Sequence, residues 1–158
     1  MKMIAACQGD SDFDEHESTR SGWLTDLGRR QMIGLRDRLS EEVGSHVVIV
    51  VSNSKRGQAV ADLFRLSERF ADVDIVRDLN YCLDDSHPVG TFENVLDTVT
   101  AFGNFDTVIV VGSLDRIFEF CRKLATKLNC SFPTKGIPEF AKGQAYVFDV
   151  QTHQGKVV

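Results

Sequence analysis

The stretch HVVIVVSNSKRGQAVADLF (46–64) decides the fold class. Val47 to Val51 form an unbroken β-branched run, the pattern of a strand buried on both faces, as in a parallel sheet covered by helices. Ser52, Asn53 and Ser54 break the run, and Ala59, Val60, Leu63 and Phe64 then recur at helical spacing. A second stretch, TVIVVGSL (107–114), makes the same passage from buried strand to polar turn and leads to a helix carrying Ile117, Cys121, Leu124 and Leu128. The two are not a true repeat. Their value is geometric: residues 52–56 and 112–115 are expected at strand carboxyl ends beside helix amino termini, where backbone N–H groups favour anions.

Outward from these stretches, shorter apolar runs at Met3–Cys7, Val73–Val76 and Gln144–Val150 read as further strands. Leu27, Gln31, Met32, Leu35 and Leu39 share one face of a helix expected from Asp26 to about Glu42, with Thr25 at its N-cap. Phe92, Val95, Leu96 and Val99 suggest another helix. Alternating strands and helices imply an α/β three-layer sandwich with a mostly parallel central sheet, whose ligands bind beyond the carboxyl ends of the strands. No Pro-, Ser- or Gly-rich linker divides the chain, so residues 1–158 are expected to form a single domain. A chain of this length buries roughly 70% of its unfolded surface and needs no metal or disulfide staple.

A formal charge of -5 and a pI near 5.3, with no long Lys/Arg tract, argue against nucleic acid as a partner. Cys7, Cys82, Cys121 and Cys130 show no C-x2-C or C-x4-C spacing, so neither a zinc site nor any cofactor is expected. The opening MKMIAACQGD is too short in apolar residues for a signal core or a membrane span. A cytoplasmic protein with reduced thiols and no membrane association is the expectation.

Taken together, the turns resemble those of the histidine phosphatase superfamily, with its phosphoglycerate-mutase-like fold, and most of all its short bacterial phosphohistidine phosphatases of the SixA type. The most specific match is to a Leu-Thr-x-x-Gly-x-x-Gln helix start, present in full as Leu24, Thr25, Gly28 and Gln31. SNSKRGQAVA (52–61) is similar to the family's Ser-Pro-x-x-Arg-Ala-x-x-Thr-Ala and keeps Ser52, Arg56 and Ala61. The resemblance implies that Arg56 lines a phosphate pocket. The departures fall on the catalytic positions. The family's opening Arg-His-Gly-Glu turn is filled by Cys7, Gln8, Gly9 and Asp10, and its later Val-Gly-His by Val111, Gly112 and Ser113.

In the family the first histidine takes the phosphoryl group on a ring nitrogen. Gln8 cannot, because its amide lone pair is delocalised into the carbonyl and is neither basic nor nucleophilic. Cys7 and Ser113 remove two possible positive charges from the same pocket. Losing a nucleophile from a concerted unit costs about 10^6 in turnover, and each lost electrostatic donor about 10^2 to 10^3, non-additively. No catalytic residue is therefore expected at Cys7, Gln8 or Ser113, while Gln8, Asn53, Arg56 and Ser113 are candidates to line a ligand or anion pocket. Asn53 and Ser113 have helix capping as an alternative role.

Cys7 does not replace the nucleophile by the cysteine-phosphatase route, which needs an arginine six positions on, where Phe13 stands. In the acidic stretch GDSDFDEHE (9–17), Asp10, Asp12 and Asp14 fit the start of an EF-hand, but Glu15 and Ser21 occupy its glycine and final glutamate positions. The stretch reads as a solvated loop. Three functions stay open: a catalytically inactive pseudophosphatase whose pocket binds a phosphorylated small molecule or protein, an active phosphohistidine or phosphoester phosphatase using noncanonical residues, and a structural interaction subunit. The second would draw on a divalent metal at Asp10, Asp12 and Asp14.

Overall fold

The structure is a computed structural model that describes residues 1–11, 23–52, 54–77, 97, 101, 103–132 and 141–158. Six strands form one sheet: β1 (Lys2–Cys7), β2 (Val47–Val51), β3 (Asp74–Arg77), β4 (Thr107–Gly112), β5 (Ala145–Asp149) and β6 (Gln154–Val157), in the spatial order β3-β2-β4-β1-β5-β6. The first four run parallel, β5 pairs antiparallel to β1, and β6 pairs antiparallel to β5. The expected α/β architecture with a mostly parallel sheet is present, and the β-branched runs of β2 and β4 are buried along their whole length.

Strand alternation sorts the core into two layers. Ile4, Ala6, Val47, Ile49, Val51, Ile109 and Val111 meet Met32, Leu35, Leu39, Val60, Leu63 and Phe64 of helices α1 (Asp26–Leu39) and α2 (Lys55–Arg65). On the other face, Met3, Ala5, Cys7, Val48, Val50, Val108 and Val110 meet Ile117, Phe120, Cys121 and Leu124 of α3 (Leu114–Leu128). Full burial of a side chain such as Leu35 or Phe120 contributes roughly 1.5–3 kcal/mol, so both layers are needed to hold the sheet.

Two boundaries differ from the sequence reading. Helix α1 ends at Leu39 rather than Glu42, with Ser40 as C-cap, and Glu42 instead pairs with Lys2 of β1 and Lys156 of β6. Strand β6 has no apolar run to announce it, because its side chains alternate between exposed and half-buried at the sheet edge. The helix expected over Phe92–Val99 lies outside the described residues, apart from Asp97, which is helical. Among the described residues no helix is long and apolar enough to cross a membrane.

Neighbouring strands β1 and β4 send their chains to opposite faces, β1 into α1 and β4 into α3. Such a reversal parts the two following loops and opens a crevice at the carboxyl ends of the strands, where open α/β sheets place their ligands. The residues at that point are Gln8 after β1 and Ser113 after β4.

Candidate anion site

Five polar or charged side chains are buried among the described residues: Gln8, Ser52, Arg56, Thr107 and Ser113. All but Thr107 stand at the carboxyl ends of β1, β2 and β4, three strands adjacent in the sheet. Hydrophobic burial explains none of them, since polar groups lose hydration on entering the interior and need partners or a ligand.

Three local devices build this end of the sheet. At β1, the Gln8 N–H donates to the Gly112 carbonyl (2.9 Å) while the Cys7 N–H donates to the Gln144 carbonyl (2.8 Å) and the Gly143 N–H to the Cys7 carbonyl (3.1 Å). The end of β1 is thereby fixed from both sides. At β2, Ser54 caps α2 by accepting from the Gly57 N–H at 3.1 Å, and the Ser52 and Ser54 hydroxyls lie 2.6 Å apart. A β-carbon on Gly57 would stand 2.1 Å from the Ser52 carbonyl oxygen, so glycine lets α2 start hard against the strand and brings Arg56 into its first turn. Arg56 is buried to 7% exposure, and its Nη1 donates across the crevice to Ser11 Oγ at 3.3 Å.

The third device explains the most specific sequence match. Thr25 accepts from the Gly28 N–H at 3.0 Å to cap α1, and donates to the Asp10 carboxylate at 3.1 Å. Gln31 Oε1 accepts from the Asp10 N–H at 2.8 Å. Gly28 has no room for a side chain, because a β-carbon there would lie 1.9 Å from the Asp10 carbonyl oxygen. Thr25, Gly28 and Gln31 thus clamp the loop after β1 onto the first turns of α1. Lys142 completes the clamp by donating to Asp10 Oδ1 at 2.6 Å, and with Thr25 holds that carboxyl below its usual range.

Each candidate residue has a definite place. Gln8 is 7% exposed, and its side-chain amide makes no hydrogen bond to a described residue. Ser113 occupies the N-cap position of α3, but its hydroxyl makes no capping bond, in contrast to Thr25 and Ser54. Asn53 lies outside the described residues, as do Asp12 and Asp14. Cys7 is fully buried on the α3 side among Met3, Ala5, Val110 and Phe120. Asp10, the described member of the metal reading, has both carboxylate oxygens engaged by Thr25 and Lys142. Ser11 and Lys142 escaped the sequence reading because they act through partners 45 and 132 residues away.

A cavity of about 790 Å3 opens at the opposite end of the sheet around Ser45, His46, Arg69 and Asp74. Several of its polar groups serve the fold: Arg69 donates to the Val43 and Gly44 carbonyls, and the Ser45 hydroxyl and the His46 N–H donate to Asp106. The buried polar cluster is therefore the stronger candidate.

Comparison with solved structures gives the fold its class. The chain has the fold of the histidine phosphatases, a phosphoglycerate-mutase-like α/β sandwich, over nearly its whole length. It is similar to a protein histidine phosphatase SixA complexed with tungstate (TM-score 0.65, 18% identity, covering 100% of this chain and 94% of that one). A protein assigned as the phosphohistidine phosphatase SixA of Nakamurella multipartitia is also similar (TM-score 0.69, 16% identity, 99% and 92% covered). So is a mycobacterial glucosyl-3-phosphoglycerate phosphatase in complex with VO3 (TM-score 0.61, 13% identity, 99% and 96% covered). No protein-family model and no curated protein sequence matches the chain.

Proposed function

We propose that the chain is a pseudophosphatase: a histidine-phosphatase-like protein that binds a phosphorylated small molecule or protein without transferring its phosphoryl group. The observation that carries this reading is that Gln8, Arg56 and Ser113 are buried polar residues that follow the carboxyl ends of β1, β2 and β4, adjacent strands of the sheet. Two of the similar proteins hold tungstate and VO3, oxyanions of the charge and shape that a guanidinium and helix amino termini recognise.

Arg56, held by Ser11 at the start of α2, supplies the fixed positive charge. The amino termini of α2 and α3 add backbone dipoles, and the Ser113 hydroxyl stands at the second. Gln8 occupies the position at which the resemblance puts the nucleophile. Its amide can donate to and accept from a bound ligand but cannot take a phosphoryl group. Binding without turnover is the chemistry this set of residues supports, and we place it in the cytoplasm, where the cysteines stay reduced.

The test is phosphate release from a phosphohistidine peptide and from a generic phosphoester, with and without magnesium, beside an Arg56→Met variant that keeps the buried aliphatic stem. Release at the uncatalysed rate in both proteins is expected. Release well above it that Arg56→Met abolishes would show that the pocket performs chemistry and would overturn the reading.

A further inference from the structure

Trp23, the one tryptophan of the chain, is 54% exposed, and the Lys55 ammonium stands 5.5 Å from its ring centre. Trp23 lies two residues before the N-cap of α1, and Lys55 is the first residue of α2, next to Arg56. The pair therefore bridges the starts of two helices at the carboxyl end of the sheet. A half-exposed indole holds an ammonium only weakly, and lysine carries its charge on a flexible four-carbon stem. At the end of β1, Gln8 is 7% exposed as a residue, and its side-chain amide makes no hydrogen bond to a described residue. An amide with no such bond at a strand carboxyl end is available to donate to and accept from a ligand.

We propose that Lys55 and Trp23 are the outer half of the anion site, and that its ligand is a phosphomonoester bearing a planar organic group. The inference rests on the pseudophosphatase reading for the inner half. When the anion reaches Arg56 and Gln8, Lys55 leaves the indole to pair with it and restores part of the positive charge missing at Cys7 and Ser113. The uncovered indole face then takes the organic group.

The experiment is calorimetric titration with inorganic phosphate and with phenylphosphonate, whose phosphorus–carbon bond resists hydrolysis, while Trp23 emission is followed in parallel. Wild type should bind both, phenylphosphonate more tightly, with a saturable change in emission. Lys55→Ala should weaken both at least five-fold. Arg65→Ala removes the same charge at the far end of α2, about 15 Å away by helical rise, and should change affinity less than two-fold. Trp23→Ala should keep phosphate affinity within two-fold and lose the preference for phenylphosphonate.

Equal affinities for Lys55→Ala and wild type, or a phenylphosphonate preference that survives Trp23→Ala, would overturn the inference and leave the inner site standing. Wild type that binds neither anion, or folded Arg56→Met that binds as well as wild type, would overturn the pseudophosphatase reading and this inference with it.

Discussion

Gly28 shows at the scale of one residue what a short motif does for the fold. The backbone of α1 touches the loop after β1 at this point, so any side chain must push one backbone against another. Gly28→Ala is expected to destabilise the protein by about 1–3 kcal/mol, the usual cost of overpacking, as read by urea unfolding. Gln31→Ala should cost about 1 kcal/mol by leaving the Asp10 N–H without its acceptor. Gln8 should behave in the opposite way. Because its amide makes no hydrogen bond to a described residue, Gln8→Leu should leave the unfolding midpoint unchanged or raise it, while weakening phosphate binding in calorimetry. Thr25, Gly28 and Gln31 were legible in the sequence because they act within one helix start, at fixed spacing. Ser11 was not, since its role appears only when folding brings it to Arg56.

At the scale of elements, the interior strands announced themselves and the edge did not. Val47–Val51 and Thr107–Gly112 are buried on both faces, which is the one environment that tolerates an unbroken β-branched run. β6 reads GlnGlyLysVal, and its Gly155 is chosen by the Tyr146 ring, which would meet a β-carbon at 2.2 Å. Such a contact lies between strands and leaves no periodic trace in either. Glu42, three residues beyond the end of α1, is likewise held by residues distant in sequence, Lys2 of β1 and Lys156 of β6. Its hydrogen bond to Lys156, then the one to Lys2, hold the Glu42 carboxyl below its ordinary value of 4.5. A depressed carboxyl stabilises the fold above its unfolded pKa, and that contribution fades as pH falls through the folded value. Glu42→Gln should therefore lower the melting temperature at pH 7, and the gap from wild type should close as the pH is taken below about 4.5.

Across the whole molecule, a phosphatase-like scaffold and the residues proposed for its pocket can be considered apart. The sheet order, the two helical layers and the clamp on the loop after β1 reproduce a phosphatase fold. At the switch point of that sheet stand Cys7, Gln8 and Ser113, of which the first packs in the core and the second cannot carry a phosphoryl group. The strand carboxyl ends themselves were legible in the sequence, and so was the place of Arg56 beside a helix start. The pairing of Trp23 with Lys55 was not, because they lie 32 positions apart and meet only in the fold. The central claim is that this pocket binds a phosphoryl group and leaves it intact. A single-turnover assay tests it most directly, with protein in excess over a phosphohistidine peptide at concentrations where binding has been established by calorimetry. The account predicts that bound peptide loses phosphate no faster than free peptide. Release faster than the spontaneous rate, lost in Arg56→Met, would contradict it.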